Sequence, residues 1–336
     1  MNKIIYVIIL NWNGESDTIA CLDSIISNTK ECDYNIILVD NGSEISGINA
    51  LRDFCNNNFN SFLEVEKENI IAQQEFILKK NNGSLLFIKN NENLGFACGN
   101  NVAIELLNSL NAQYTLLLNN DTELCGDSIS MMLASIKERS CAAIIPQIRY
   151  YDPSDVIWNC GGYINKLGVR KYLYANVNIK NVSTKGLIKV DYGTGCALMI
   201  DLFKLKGELS DKYFFGEEDF EFALRMRRQN ESIYCDMDTI IYHKVGASRK
   251  KLTEDRLGHF AYHYTQRLHN LKNYLNPFVW WLSVVMHMLS SLRLVISSKI
   301  FNFSSFINLW KEIVKISSTE NKITKDIFMK LTQKKY

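Results

Sequence analysis

The residues able to do chemistry in this sequence stand where apolar runs stop. Three such runs end abruptly in amides, a carboxylate or glycine: Leu10-Asn11-Trp12-Asn13-Gly14, Val39-Asp40-Asn41-Gly42-Ser43 and Leu118-Asn119-Asn120-Asp121-Thr122. Open parallel sheets bind ligands just beyond the carboxyl ends of their strands, so each ending offers polar groups where a nucleotide would lie. Any one alone reads as an ordinary Asn/Asp/Gly turn. Three in the right order favour a site. Further along, Glu217-Glu218-Asp219 and Glu221 crowd four carboxylates between Phe214-Phe215 and Phe222-Ala223-Leu224. Crowded carboxylates raise one another's pKa, which suits removal of a proton from a hydroxyl. The competing reading is an acidic first helical turn favoured by the helix dipole, with Arg225 at i+4 from Glu221 as an ordinary ion pair. His243 closes the run Ile240-Ile241-Tyr242, a place where a lone histidine is usually structural.

The elements that must position these residues alternate. Ile4 to Leu10, Tyr34 to Val39, Leu85 to Ile88, Tyr114 to Leu118 and Ala142 to Ile145 are short, apolar and β-branched, as buried strands are. Ser16 to Thr29 places Ile19, Leu22, Ile25 and Ile26 at helical spacing, and Asn100 to Leu110 repeats the pattern. Strand, helix, strand repetition predicts an α/β fold with a mostly parallel sheet and helices on both faces. Residues 150–190 are less regular, with Gly161-Gly162 and Gly168 as turn signals among aromatics, and read as short strands or a hairpin. Asn276-Pro277 breaks a helical stretch containing Tyr262, Arg267 and Lys272. The expected division is therefore 1–272 as the catalytic domain and 273–336 as a helical tail.

Composition removes several functions. With 38 Lys plus Arg against 36 Asp plus Glu, no global field of one sign argues for nucleic acid. The nine cysteines form no Cys-x-x-Cys pair, so reduced thiols in cytoplasm are expected. The run after Met1-Asn2-Lys3 is too short for a signal-peptide core and reads as a first buried strand. Gly193-Thr194-Gly195 fails as a dinucleotide fingerprint because Leu198 stands where the third glycine belongs. Walker A, Gly-x-Ser-x-Gly and His-Glu-x-x-His motifs are absent.

The ordered set formed by Ile8 to Gly14, Val39 to Ser43, Asn93-Leu94-Gly95-Phe96-Ala97, Leu118 to Thr122, Phe214 to Asp219 and His243 to Ser248 resembles the inverting glycosyltransferases of family 2, in particular rhamnosyltransferase-like bacterial members. The resemblance runs from Ile4 to Lys272 and implies the GT-A fold. It places Asp40 on the nucleobase, and Asn119-Asn120-Asp121 where the family carries its Asp-x-Asp motif. Asp121 is then the ligand of a Mg²⁺ or Mn²⁺ that neutralises the departing nucleoside diphosphate. Asn119 in place of the first carboxylate carries no charge, so the donor's phosphates must supply much of the metal affinity. Asp219 becomes the general base, with Glu218 beside it. His243 approaches metal and diphosphate, and Gly246, Ser248, Arg249, Lys250 and Lys251 resemble a loop closing over phosphates. Leu10, Asn11, Asn13, Asn93, Gly95, Asn119 and Asn120 line the donor side, and Gly195 leads to the acceptor side.

The implied reaction is a single displacement that moves a sugar, rhamnose as leading guess, from a nucleotide-diphosphate donor to a saccharide or polyprenyl-linked acceptor in cell-surface polysaccharide synthesis. Two rivals are a metal-dependent nucleotidyltransferase and a catalytically silent nucleotide-sugar-binding scaffold. The tail adds a location. On a helical wheel of Phe278 to Ser298, Ser283, His287, Ser290, Ser291, Arg293, Ser297 and Ser298 gather opposite Trp281, Val285, Met288, Leu289, Leu292, Val295 and Ile296. With the lysines from Lys299 to Lys335, this predicts a helix lying on an anionic membrane surface at its cytoplasmic face, its polar side hydrated. A helix packed on the protein or on a dimer partner is the alternative.

Overall fold

The computed structural model describes residues 4–70, 83–245, 256–297 and 303–334. The basic loop Gly246, Ser248, Arg249, Lys250 and Lys251 lies outside the described residues, as do Ser298, Lys299, Lys335 and the side chains of Arg293, Val295, Ile296 and Ser297.

The first half holds β1 (Ile5–Asn11), β2 (Tyr34–Asn41), β3 (Phe62–Glu66), β4 (Ser84–Asn90) and β5 (Tyr114–Asn119). Then come β6 (Thr122–Cys125), β7 (Ala143–Tyr150), β8 (Ile157–Asn159), β9 (Gly162–Ile164), β10 (Arg170–Tyr172), β11 (Leu187–Val190), β12 (Ala197–Asp201) and β13 (Ile233–His243). One mixed sheet runs β11-β13-β7-β12-β5-β1-β2-β4-β3, with β6 on β13 and β8 on β7; β9 and β10 form a separate hairpin. From β3 to β5 all neighbours are parallel, and β12 then pairs antiparallel with both β5 and β7. Each predicted strand is present.

β1 is apolar on both faces because both faces are covered. Ile5, Val7 and Ile9 enter one apolar cluster, Tyr6 and Ile8 the other. Helices α1 (Glu15–Asn28), α2 (Ile45–Asn58) and α4 (Ser128–Arg139) supply the first cluster, while α3 (Phe96–Ser109) supplies the second. The chain moves outward from β1 through β2, then returns to the other side of β1 as β5, so strand order reverses there. A crevice at the carboxyl ends of β1 and β5 follows. Register places Leu10 beside Asn119 and Asn11 beside Asp40.

After β12 come α5 (Leu202–Leu205), α6 (Glu218–Arg228), α7 (Arg256–Tyr274), α8 (Pro277–Ser297), α9 (Phe303–Thr319) and α10 (Lys325–Gln333). Trp280 and Val284 of α8, Phe306, Leu309, Trp310 and Ile313 of α9, and Phe328 and Leu331 of α10 are buried in the same cluster as α3. The tail therefore shares a core with the sheet. Between α9 and α10, Ile323 bridges Tyr213 in parallel register, and the Phe214 N–H donates to the Ile323 carbonyl (3.0 Å). That bridge holds the strand of chain entering the acidic turn.

Gly95, which precedes α3, ties this helix to the same segment. Its φ of +84° with ψ of −178° is a region essentially reserved for glycine, and an added Cβ would stand 2.1 Å from the Phe214 carbonyl oxygen. Gly95→Ala is expected to cost at least about 2 kcal/mol, since strain and a backbone clash add. A thermal melt should show a midpoint several degrees lower; an unchanged midpoint would mean that α3 and Phe214 can separate freely.

Candidate active site

The strand-end amides form one hydrogen-bond network. Asn11, sealed from solvent, donates through Nδ2 to Asp40 Oδ2 (2.7 Å) and to Ser43 Oγ (3.1 Å). Its Oδ1 accepts from Thr18 Oγ1 (2.8 Å) and from Asn120 Nδ2 (3.4 Å). Asn120 Nδ2 also meets Thr18 Oγ1 at 3.0 Å. Asp40 is fully buried, and its Oδ1 accepts from the Ser43 N–H (2.9 Å), so a base contact requires the Asn41 to Ser43 turn to shift. Asn13, at φ +50°, places its N–H on Ser43 Oγ (2.8 Å) and accepts from the Glu44 N–H (2.9 Å).

A second brace holds the loop before α3. Asn41 Nδ2 donates to Asn93 Oδ1 (3.0 Å) and to the Gly95 carbonyl (3.2 Å), while Asn93 Oδ1 accepts from the Gly95 N–H (2.9 Å). Leu10 packs so tightly on α3 that a Cβ on Gly99 would lie 2.7 Å from it. Asn119 donates its N–H to the Cys196 carbonyl (2.8 Å), and the missing side chain of Gly195 leaves room for the Phe96 ring, 3.1 Å from where a Cβ would be. Asn41, Ser43 and Thr18 were not singled out as site residues by sequence reasoning; all three lie within or beside the quoted motifs.

Asp121 and His243 come together across β5, β6 and β13. His243 Nε2 is 3.1 Å from Asp121 Oδ1, both side chains are about 8% exposed, and Trp158 covers the imidazole edge-on at 4.4 Å. Asp121 Oδ1 is nevertheless buried without an aligned hydrogen-bond partner among the described residues. A carboxylate oxygen in this state, facing an imidazole Nε2, fits a divalent cation. No third His, Cys, Asp or Glu joins them among the described residues, so a bound ion would complete its shell with phosphate and water.

The four carboxylates of the acidic turn have different fates. Glu217, at φ +70°, is buried against Arg170, with Asn270 Nδ2 donating to it (3.2 Å) and Arg267 Nε at 4.0 Å. Burial alone would raise its pKa, but Arg170 outweighs that and holds it at about 2. Glu221 accepts from the Tyr274 hydroxyl (2.6 Å) and pairs with Arg225 at 3.4 Å, so the ordinary i+4 pair does exist here. Glu218 and Asp219 remain. Each is half-buried, and among the described residues neither has a cationic side chain in contact and Glu218 Oε2 is sealed without a partner. Desolvation, then the neighbouring Asp219 charge, pushes Glu218 up, and desolvation also raises Asp219, which Arg170 only partly offsets. Sequence reasoning missed Arg170, Arg267 and Asn270, because their meeting with Glu217 spans 47 residues or more and leaves no local spacing.

Crevice, strand order and polar endings together define a nucleotide-sugar transferase fold of the GT-A class. The chain belongs to glycosyl transferase family 2, whose family model matches residues 6–199. It is 25% identical over 239 residues to the low-salt glycan biosynthesis hexosyltransferase Agl10 of Haloferax volcanii, covering 68% of this chain and 62% of that protein. The chain thus spans less than two thirds of that relative. Among solved structures, Staphylococcus aureus TarS 1-349 aligns at TM-score 0.54 and 13% identity over 94% of this chain and 81% of that one. GalNAc-T7 with UDP, GalNAc and Mn²⁺ aligns at 0.52 and 15%, over 80% and 51%. A mannosyltransferase of Pyrobaculum calidifontis in complex with GDP-Man and Mn²⁺ aligns at 0.50 and 11%, over 98% and 83%. At these identities the structures establish the shared fold.

Removing Glu217 strands a buried guanidinium. Glu217→Ala is expected to destabilise the protein by about 3–5 kcal/mol near neutral pH. Its folded-state pKa of about 2 lies below the ordinary glutamate value of about 4.3. The stabilisation is therefore complete above about pH 5 and is lost as pH falls toward 2. Denaturant melts at pH 7 and pH 3 check this: the gap between wild type and variant should narrow at pH 3, and a constant gap would mean that charge is not what Glu217 contributes.

Proposed function

We propose that the chain is an inverting glycosyltransferase that uses a nucleotide-diphosphate sugar, with Asp219 as general base. One observation carries this reading. Of four crowded carboxylates, ion pairing and hydrogen bonding occupy Glu217 and Glu221, leaving Asp219 and Glu218 without a cationic partner among the described residues and with raised pKa values. Asp219 takes the proton of an acceptor hydroxyl, and that oxygen attacks the anomeric carbon as its bond to the diphosphate breaks, inverting the centre. Asp219 Oδ1 accepts from the Phe220 N–H (2.8 Å), which fixes the carboxylate at the first turn of α6. Desolvation and the neighbouring Asp219 charge raise the Glu218 pKa, which favours its protonated form beside an ionised Asp219. A Mg²⁺ or Mn²⁺ on Asp121 and His243 would act as Lewis acid toward the departing diphosphate. Asn11, Asn13, Asn93, Gly95, Asn119 and Asn120 shape the donor side, Asp40 orients the turn beside the base, and Gly195 opens toward the acceptor. Rhamnose from a dTDP donor is the first sugar to test.

A donor panel with purified protein separates sugar transfer from nucleotidyl transfer or mere binding. Excess chelator, and Asp121→Ala, should each remove most turnover; full turnover without a cation defeats the metal assignment. Asp219→Asn should bind donor normally and transfer at least about a hundredfold more slowly. Its pKa is raised to about 6 and only the deprotonated form is basic, so the wild-type rate should climb as pH rises through about 6 and fall away below. Glu218→Gln should keep that limb. If Asp219→Asn works normally and Glu218→Gln does not, the base is Glu218.

The tail supports a membrane-facing reading of 273–336. Phe278, Trp281, Leu282, Val285 and Leu289 of α8 are 45–73% exposed and share one face. No helix among the described residues is long and apolar enough to cross a membrane. The polar side differs from expectation: Ser283, His287 and Ser291 are buried against the protein rather than hydrated, because small residues let α8 seat closely. Lys322 pairs with Asp211, and Lys330 and Lys334 meet Glu312, so part of the expected basic character is neutralised. We infer peripheral docking through the apolar face of α8, toward a saccharide acceptor carried on a polyprenyl lipid. Full-length protein should float with phosphatidylglycerol vesicles, and Trp281→Ser with Leu289→Ser should lose most of that. Equal flotation of the double variant would point to another surface.

A further inference from the structure

Beside the acidic turn lies a polar cluster that the reaction leaves unused. Arg267 of α7 has a side chain only 12% exposed, and its sole carboxylate neighbour among the described residues is Glu217, at 4.0 Å, already satisfied by Arg170 and Asn270. Among the described residues its Nε is sealed and makes no hydrogen bond, while its guanidinium lies 5.7 Å from the Tyr264 ring centre. His287 of α8, 5% exposed and 5.8 Å from the same ring, has a buried Nε2 with no hydrogen-bond partner among those residues. His263 stands one turn before Arg267 on α7 and is open to solvent. Burial holds His287 at about 4, so it is neutral near pH 7 and the surplus charge is that of Arg267.

Two guanidiniums thus face one carboxylate, and a buried cation without its own anion is costly. A missing anion resolves that cost. We propose that Arg267, with His263 and His287 beside it, forms a subsite for a phosphoryl group of the acceptor. The planar guanidinium fork matches phosphoryl oxygens in pairs, and imidazole N–H groups add donors without charge. The position favours acceptor over donor. The cluster reaches the reacting centre through Glu217, adjacent in sequence to Glu218 and Asp219, whereas a donor diphosphate is served by Asp121 and His243. The use of the subsite rests on the transferase reading; its binding test does not.

The test is calorimetric titration of full-length protein with inorganic pyrophosphate in the absence of divalent cations. Wild type should bind saturably, Asp121→Ala should match it within about twofold, and Arg267→Gln should bind at least about tenfold more weakly. Should Arg267→Gln fail to fold, Arg267→Lys replaces it, keeping charge but not the fork, with a loss of at least about fivefold expected. No binding by wild type, or equal binding by the Arg267 variant, overturns the proposal. Flotation on phosphatidylglycerol vesicles separates the two phosphoryl sources. Unchanged flotation of Arg267→Gln supports an acceptor phosphate, and lost flotation reassigns the subsite to a lipid headgroup. Neither readout requires sugar transfer, so failure here and failure of the transferase reading remain distinguishable.

Discussion

A carboxylate sealed from water needs hydrogen bonds or a cation in contact, and Glu217 meets that requirement with residues from two separate parts of the chain. Arg170 arrives on the β9–β10 hairpin, while Asn270 and Arg267 arrive on α7. Arg170 also lies 3.2 Å from the centre of the Phe220 ring, so the pair is clamped from the helix side as well. Because Glu217 sits at positive φ just before α6, fixing its carboxylate fixes the direction in which the helix starts. The direction of Glu218 and Asp219 is therefore set by a charge pair just before them. Desolvation first, and carboxylate crowding after it, raises the pKa of both.

On the donor side the same rigidity comes from amides. Asn11, Asn41, Asn93 and Asn120 each bridge two strand ends or a strand end and a loop. An amide both donates and accepts, so one side chain can satisfy a backbone N–H and a carboxylate at once without adding charge. The carboxylates on this side are Asp40, enclosed by Asn11 and the Ser43 N–H, and Asp121, facing His243, while Asn119 adds an amide without charge.

The parallel sheet was legible because β1, β2, β4 and β5 are apolar on both faces, whereas the edge strand β3, with Glu64 and Glu66, was not; the strand-end motifs were legible because turns at a crevice need small and polar residues in short runs. His243 stands beside Asp121, 122 positions earlier in the sequence, because β13 runs back along β6. What sequence could not assign was the partner of each acidic residue. Glu217, Glu218, Asp219 and Glu221 look alike in a string of letters; Arg170 and Arg267 distinguish them only after the hairpin and α7 close on the turn. Arg225, four residues after Glu221, was the one partner that local spacing could supply.

The tail shows a different limit. Helical periodicity correctly separated the small polar face of α8 from its apolar face, yet amphipathicity does not say which face meets protein. Small side chains at Ser283 and Ser291 permit close approach to the body of the enzyme, and His287 fills the space between them beside Tyr264. With that side occupied, Trp281, Val285 and Leu289 stay exposed among the described residues, and Trp280 anchors the helix by donating its indole N–H to the Leu268 carbonyl (2.8 Å). The face that packs on the body joins Ser283, His287 and Ser291 to Trp280 and Val284, so side-chain fit rather than polarity decides which face is buried. The exposed apolar row is therefore the face of α8 opposite the one that meets α7 at Tyr264.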